Sequence, residues 1–147
     1  MRRLLVPLVL VLSVGGSLGG CGWAGRHAET SKPDVFQLQG YVSVGGAASG
    51  VPGTPCLAPT SVPDVVAGAT VRAADADGKV IAVSSLDSGV LAQASDGFRC
   101  NFAFRMKNLS GSRPSYQILV GDRPAQTFQT RELTEGKPAV VTVTASS

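Results

Sequence analysis

Apolar and polar residues alternate between Phe98 and Lys107, with Ala103 as the one exception, and this pattern limits the folds open to the chain. Every second position is apolar, and these residues are Phe98, Cys100, Phe102, Phe104 and Met106. The positions between them include the polar residues Arg99, Asn101, Arg105 and Lys107. Successive side chains of a β-strand point to opposite faces of its sheet. The pattern therefore predicts a half-buried strand that directs Cys100 into the core.

Further strand signals occur along the chain, and no segment keeps a helical period. Val35–Val44 alternates in the same way, with Phe36 and Leu38 on the apolar side and Gln37 on the polar side. Shorter candidate strands are Thr70–Ala74, Val80–Ser85, Ser115–Val120, Gln126–Thr130 and Ala139–Ala145. These segments have the length and the β-branched composition that are typical of strands.

Turn-forming residues separate the candidate strands. Asp75-Ala76-Asp77-Gly78 joins two of them, and Asp-Gly favours a hairpin because both residues tolerate positive φ. Further turns are predicted at Ser88-Gly89, Asp96-Gly97, Ser110-Gly111 and Glu135-Gly136. Short strands with regular turns predict an all-β fold, a single antiparallel β-sandwich of about seven strands at residues 35–147.

The first twenty residues have the order of a secretory signal. Arg2 and Arg3 precede an apolar core from Leu4 to Leu12, and small residues follow that core. A membrane-spanning helix needs roughly 20 apolar residues. Gly15 and Gly16 interrupt the apolar run before that length, so we expect a cleaved signal peptide at residues 1–20.

The end of this signal, Leu18-Gly19-Gly20-Cys21, resembles the lipobox of bacterial lipoproteins. The resemblance implies that the Cys21 thiol receives a diacylglyceryl group and that the chain is cut just before it. Two or more acyl chains hold a protein firmly on a membrane, whereas one chain is marginal. An ordinary secretory signal with an unlipidated Cys21 is the alternative. We expect an extracytoplasmic protein that is anchored to the cell membrane through Cys21.

Residues 22–34 connect this anchor to the first strand. They contain several turn formers and no periodicity, so residues 21–34 are predicted to form a flexible tether that carries the lipid. A flexible segment of this length has a root-mean-square span of about 20 Å. That span lifts a small domain clear of the lipid headgroups.

Two cysteines remain once Cys21 is assigned to lipid. Disulfides persist in exported proteins, so we predict a bond between Cys56 and Cys100. A metal site is the alternative, and it is disfavoured because the chain has one histidine and no Cys-x-x-Cys sequence.

The charge balance of the mature chain is close to neutral. Cleavage removes Arg2 and Arg3 and leaves 11 Lys and Arg against 10 Asp and Glu. The basic character of the whole chain thus belongs partly to the signal peptide, and a nucleic-acid partner is not expected.

Four runs in the sandwich region carry a family resemblance. They are Gly68–Arg72, Asp77–Val80, Gly97–Phe102 and Tyr116–Val120. In these runs the chain resembles carboxypeptidase-regulatory-like or prealbumin-like modules, and also small lipoproteins and secreted proteins of actinobacteria. The resemblance extends from Phe36 to Val143. It implies a β-sandwich with a non-catalytic binding or structural role, and it carries over no active-site residue.

Gly45–Ala69 is the longest connection between candidate strands. It is rich in glycine and contains Pro52, Pro55, Pro59 and Pro63. A connection of this length in a compact domain is usually functional or disordered. A bond from Cys56 to Cys100 pins it to the edge of the sandwich. There it either shields a sheet edge or offers a fixed surface to a ligand.

Charged residues supply a candidate binding surface formed by Asp64, Arg99, Arg105 and Lys107. A basic stripe of this kind suits phosphate headgroups or anionic wall polymers. The solvated face of a strand is the alternative.

Carboxylates near the predicted hairpin raise the question of calcium. Asp75 and Asp77, with Asp64 or Asp87, provide the oxygens that hard cations prefer. Leu86 stands where an EF-hand loop has its glutamate, however. We therefore expect a simple hairpin and no metal site.

Catalysis is not predicted from these residues. The single histidine, His27, lies in the tether, and each cysteine has another assignment. We expect no cofactor and a monomeric, membrane-anchored envelope lipoprotein whose domain is a non-catalytic binding or structural module. Its ligand is an envelope protein or a wall polymer. The alternatives are a small wall-polymer hydrolase with paired carboxylates and an accessory subunit of an exported complex.

Overall fold

The computed structural model describes residues 34–145, so the predicted signal peptide, Cys21 and the tether up to residue 33 lie outside the described residues. This part of the chain forms eight β-strands and one short α-helix. They are β1 (Val35–Gly45), β2 (Thr70–Ala74), β3 (Val80–Ser85), β4 (Gly89–Ala94), β5 (Gly97–Ser110), β6 (Ser115–Val120), β7 (Gln126–Gln129), α1 (Thr130–Thr134) and β8 (Ala139–Val143). No helix in residues 34–145 is long and apolar enough to span a bilayer.

The strands form two four-stranded sheets. One sheet has the order β4-β5-β1-β8, and the other has the order β3-β2-β6-β7. Neighbouring strands are antiparallel, except that β1 and β8 run parallel. The prediction of an all-β sandwich is confirmed, with eight strands where the sequence indicated about seven.

The additional strand, β4, begins at Gly89, where the sequence predicted a turn. Gly89 pairs with Phe102 of β5, and the ladder continues to a turn of two residues, Ser95 and Asp96. Later in the chain, β7 ends at Gln129 because Thr130 begins α1. The predicted strand at Gln126–Thr130 is therefore one residue too long.

The core lies between the two sheets and follows the alternation seen in the sequence. Leu38 of β1, Phe102 and Phe104 of β5, and Tyr116 and Ile118 of β6 are all fully or almost fully buried. Removal of side chains of this size from water is the main stabilising contribution to such a fold. The buried hydroxyl of Tyr116 donates a hydrogen bond to the carbonyl oxygen of Ser110 at 2.9 Å. Burial raises the pKa of this phenol.

The predicted hairpin between β2 and β3 is confirmed. Asp75 Oδ1 accepts hydrogen bonds from the backbone amides of Asp77 (3.0 Å) and Lys79 (2.9 Å). Gly78 has a φ of 82°, the left-handed conformation that glycine adopts without strain. Local side-chain bonds of this kind stabilise the turn without any contact from distant parts of the chain.

The parallel pairing of β1 and β8 depends on Gly40. A Cβ atom at Gly40 would lie 2.5 Å from the carbonyl oxygen of Ala139 and 2.5 Å from Cζ of Phe104. The absence of a side chain therefore lets β8 and the Phe104 ring approach the same point of β1.

The two ends of the sandwich differ in what they carry. We call the end at Asp34 the near end, where the amide of Gly111 donates to the carbonyl oxygen of Asp34. The far end is where β1 stops at Gly45. Eleven residues of strand separate them, about 33 Å at the usual rise. The turn between β4 and β5, the end of β8 and the start of the 45–69 loop all lie at the far end.

Candidate functional site

The loop at residues 45–69 runs along the outer edge of β4 as if it were a further strand. The amide of Gly53 donates to the carbonyl oxygen of Leu91, and the amide of Leu91 donates to that of Thr54, both at 2.8 Å. The amide of Cys56 donates to the carbonyl oxygen of Gly89 at 3.0 Å. Backbone bonds of this kind close a sheet edge that would otherwise expose unpaired groups. The loop is thus a covering segment, and it is ordered by the sheet.

A disulfide joins this loop to the centre of the sheet. Cys56 bonds to Cys100 of β5, with 5.9 Å between their Cα atoms, so the predicted pairing is confirmed. Cys100 is fully buried, as the alternation predicted. The bond fixes the middle of a 25-residue connection to a strand in the core.

Gly89 makes this arrangement sterically feasible. A Cβ atom there would lie 2.6 Å from Sγ of Cys100 and 2.6 Å from the carbonyl oxygen of Cys56. Real Cβ atoms do not approach other heavy atoms so closely. The glycine that the sequence assigned to a turn therefore leaves the space through which the disulfide and the loop reach β4.

An open groove of about 430 Å³ lies on the surface that the loop creates. It is lined by residues 48–50, residues 54–57 and Leu91, and none of these residues is charged. Leu57 is 84% exposed, and Val51 in the same loop is 69% exposed. Neighbouring apolar side chains that stay exposed on an ordered backbone form a candidate interaction surface. We call these lining residues together with Val51 the loop groove.

The second half of the loop is packed into the domain. Val62 and Val65 are buried in the core. Between them Asp64 accepts two hydrogen bonds from the guanidinium of Arg123, both at 2.7 Å. The hydrogen bonds from Arg123 hold the pKa of the Asp64 carboxyl below its ordinary value of 3.8. The loop is therefore fastened at Cys56 and again at Asp64.

The structure does not gather the charged candidates into one site. Arg99, Arg105 and Lys107 all lie on β5, on the face turned away from the core. Arg99 is paired with Asp96 in the neighbouring turn. Eight residues of strand separate Arg99 from Lys107, about 26 Å. Asp64 lies in the 45–69 loop and not on β5, and it is paired with Arg123.

Two of the carboxylates considered for calcium, Asp64 and Asp75, have other partners. Asp75 Oδ1 is used by the hairpin, and Asp75 Oδ2 accepts a hydrogen bond from Nη1 of Arg113 at 3.3 Å. Residues 34–145 contain no group of three His, Cys, Asp or Glu side chains that is placed to hold a metal ion.

The sequence predicted the 45–69 loop as a possible ligand surface and named Cys56, but it did not single out Leu57, Val51 or Leu91. Leu57 and Val51 are isolated apolar residues in a Pro- and Gly-rich loop, and Leu91 lies in a strand that the sequence did not reveal. The available signal was Cys56 itself, because a cysteine expected to pair with a core strand implies that its apolar neighbours are held in place. Comparison with protein-family models, with curated proteins and with solved structures gives no match to the chain.

Proposed function

We propose that this chain is a cell-envelope lipoprotein, anchored through Cys21, whose sandwich domain is a non-catalytic binding module. The loop groove is the contact surface, and the partner is an envelope protein that inserts an apolar side chain there. One observation carries the proposal: a disulfide holds an exposed leucine and an uncharged groove in a fixed position. A preorganised surface binds more tightly because less conformational entropy is lost on association.

The position of the groove supports this function. Gly45 begins the loop at the far end, about 33 Å from the point where the tether joins the near end. The groove is therefore separated along β1 from the end of the domain that the tether enters.

The chemistry of the groove favours a protein over a wall polymer. Anionic polymers are recognised by clustered cations. The groove lining has no charged side chain, and Arg99 at the far end is already paired with Asp96. An apolar anchor that fills a pocket is the usual centre of a protein interface.

The hydrolase alternative calls for a carboxylic acid that keeps its proton near neutral pH. The hydrogen bond from a paired arginine lowers the pKa of the Asp64 carboxyl and that of the Asp96 carboxyl. These two groups are therefore suited to ion pairs and not to proton donation. The accessory-subunit alternative requires the same exposed contact surface and differs only in what binds there.

Two matched charge substitutions test the binding surface. Leu57→Asp places a charge in the groove, whereas Val83→Asp places one on β3, at a side chain that is 64% exposed. Both full-length variants are purified from native membranes with their associated proteins, and these are quantified by mass spectrometry. We expect Leu57→Asp to lose a protein that wild type and Val83→Asp retain. If wild type and both variants recover the same associated proteins in equal amounts, the groove is not the contact surface.

The anchor is tested separately. Cys21→Ala removes the acyl acceptor, so we expect the chain to leave the membrane fraction or to remain uncleaved. Mass spectrometry of wild-type protein should find the diacylglyceryl group on Cys21. Unchanged acylation and membrane retention in the variant would contradict the lipoprotein assignment.

A further inference from the structure

The two edges of the β4-β5-β1-β8 sheet are protected in different ways. At β4, the 45–69 loop supplies a series of backbone hydrogen bonds. At β8, within residues 34–145, the protection comes from the carboxamide of Gln126 alone. Its Nε2 donates to the carbonyl oxygen of Thr142 at 3.0 Å, and its Oε1 accepts from the amide of Thr142 at 3.4 Å. One edge is covered by a disulfide-linked segment and the other by a rotatable side chain.

The Gln126 carboxamide contacts the β8 edge with the same hydrogen-bonding groups that a peptide would use. A carboxamide has the donor and the acceptor of a peptide group, and both are used on the same residue of β8. A neighbouring strand would make the same two bonds. Backbone groups of alternate residues in a strand point to the same side, so Val140 directs its groups outward with Thr142. Gln126 thus occupies one position of a strand-binding edge.

The sequence of β8 leaves this edge open to pairing. Ala139–Val143 has no charged residue and no proline, which are common means of blocking an edge strand. Its residues are mostly β-branched, as favoured in sheets. The two preceding residues, Lys137 and Pro138, lie outside the strand.

Space for side chains lies next to the Gln126 contact. A cavity of about 280 Å³ is bounded by the connection between β6 and β7 and by the end of β8. Its lining includes Arg123, Gln126, Val141 and Val143. In β-strand addition, backbone bonds provide affinity and pockets for alternate side chains provide selectivity. Both elements are present at this edge.

We propose that the outer edge of β8 binds an extended peptide segment of a partner protein, and that Gln126 is a cap which this segment displaces. The hydrogen-bond pattern at Thr142 fits a peptide strand as the ligand. A second copy of the chain is disfavoured because its own β8 carries the same cap. Pairing of two copies would displace two carboxamides, whereas a partner segment displaces one. This site and the loop groove lie at opposite edges of one sheet.

The test uses full-length protein in detergent and a defined peptide, Thr-Val-Thr-Val-Thr-Val with two lysines at each end. A control peptide is N-methylated at all six Thr and Val residues, so neither of its edges can donate backbone hydrogen bonds to β8. Binding is measured by fluorescence titration to wild type, to Gln126→Ala and to Gln129→Ala. Gln129 is a matched control because it is an exposed glutamine on the same strand, β7.

We expect Gln126→Ala to bind the peptide about tenfold more tightly than wild type, since the two competing hydrogen bonds are removed. Gln129→Ala should bind like wild type, and the N-methylated peptide should not bind. Hydrogen exchange of the Thr142 amide should slow when the unmethylated peptide is bound.

Three results would overturn the proposal. The first is equal affinity of wild type and Gln126→Ala. The second is equal binding of the two peptides, because contact would then not involve backbone pairing. The third is a dimer of Gln126→Ala that protects the Thr142 amide without peptide, because the occupant would then be a second copy.

Discussion

Removal of the disulfide tests how the loop groove is held. In the variant Cys56→Ala/Cys100→Ala, the loop retains its backbone hydrogen bonds to β4 but loses the covalent attachment. The two cysteines are 44 residues apart in the sequence. On the chain-entropy model, opening a loop of that size costs about 4 kcal/mol of stability. Loss of the buried sulfur atoms adds about 1 kcal/mol.

The free energy of unfolding is measured by urea denaturation under non-reducing conditions, at equal protein concentration. Leu57→Ala is the control, because an exposed side chain in the same loop should change stability by less than about 0.5 kcal/mol. Native-state hydrogen exchange reports on the loop itself. The amides of Gly53 and Leu91 join the loop to β4, so both should exchange faster in the double variant.

Two outcomes would refute this reasoning. A loss of stability below about 1 kcal/mol would mean that loop closure contributes little to the fold. Unchanged exchange at Gly53 and Leu91 would mean that hydrogen bonds and packing hold the loop without the disulfide. Either result would mean that the Cys56–Cys100 bond is not what holds the loop groove in place.

The remaining predictions concern a glycine, a tyrosine and an ion pair. Gly89→Ala should cost about 1–3 kcal/mol in thermal or urea unfolding because its Cβ would overlap the disulfide. Gly45→Ala, where a Cβ has no neighbour within 4 Å, should cost clearly less, and equal losses would contradict the steric account. Tyr116→Phe removes the buried hydrogen bond to the Ser110 carbonyl and should lower the free energy of unfolding by about 1–2 kcal/mol. An unchanged free energy of unfolding would contradict a stabilising role for this bond. The lowered pKa of Asp64 means that its ion pair stabilises the domain above pH 3.8 and that this contribution is lost as the pH falls through the folded-state pKa. An NMR titration should find that Arg123→Ala returns this pKa toward 3.8, and an unchanged pKa would contradict the pairing.

The sequence was most informative where one local pattern determines the structure. Alternation at Phe98–Lys107 placed a strand and the inward direction of Cys100 correctly, because strand geometry alone relates position to face. The Asp75 hairpin was predictable for a similar reason, since its hydrogen bonds join residues two and four positions apart. The disulfide followed from the number of cysteines.

The sequence was less informative where distant residues determine a local role. Ser88-Gly89 has the composition of a turn, but Gly89 pairs with Phe102 of β5, and the approach of Cys56 and Cys100 requires a glycine there. The parallel pairing of β8 depends on space at Gly40, which no pattern along the chain displays. The loop groove had the weakest signal, because the exposure of Leu57 results from a backbone path fixed by several tertiary bonds.

Site-specific photocrosslinking in intact cells can show whether the loop groove contacts a partner protein. A benzoylphenylalanine residue replaces Leu57 in the groove, and in a matched strain it replaces Val83, which is also well exposed but lies on β3. We expect one discrete crosslinked protein when the photocrosslinker replaces Leu57, and no such product when it replaces Val83. Absence of a crosslink at position 57, or the same products from both positions, would contradict a binding role for the loop groove.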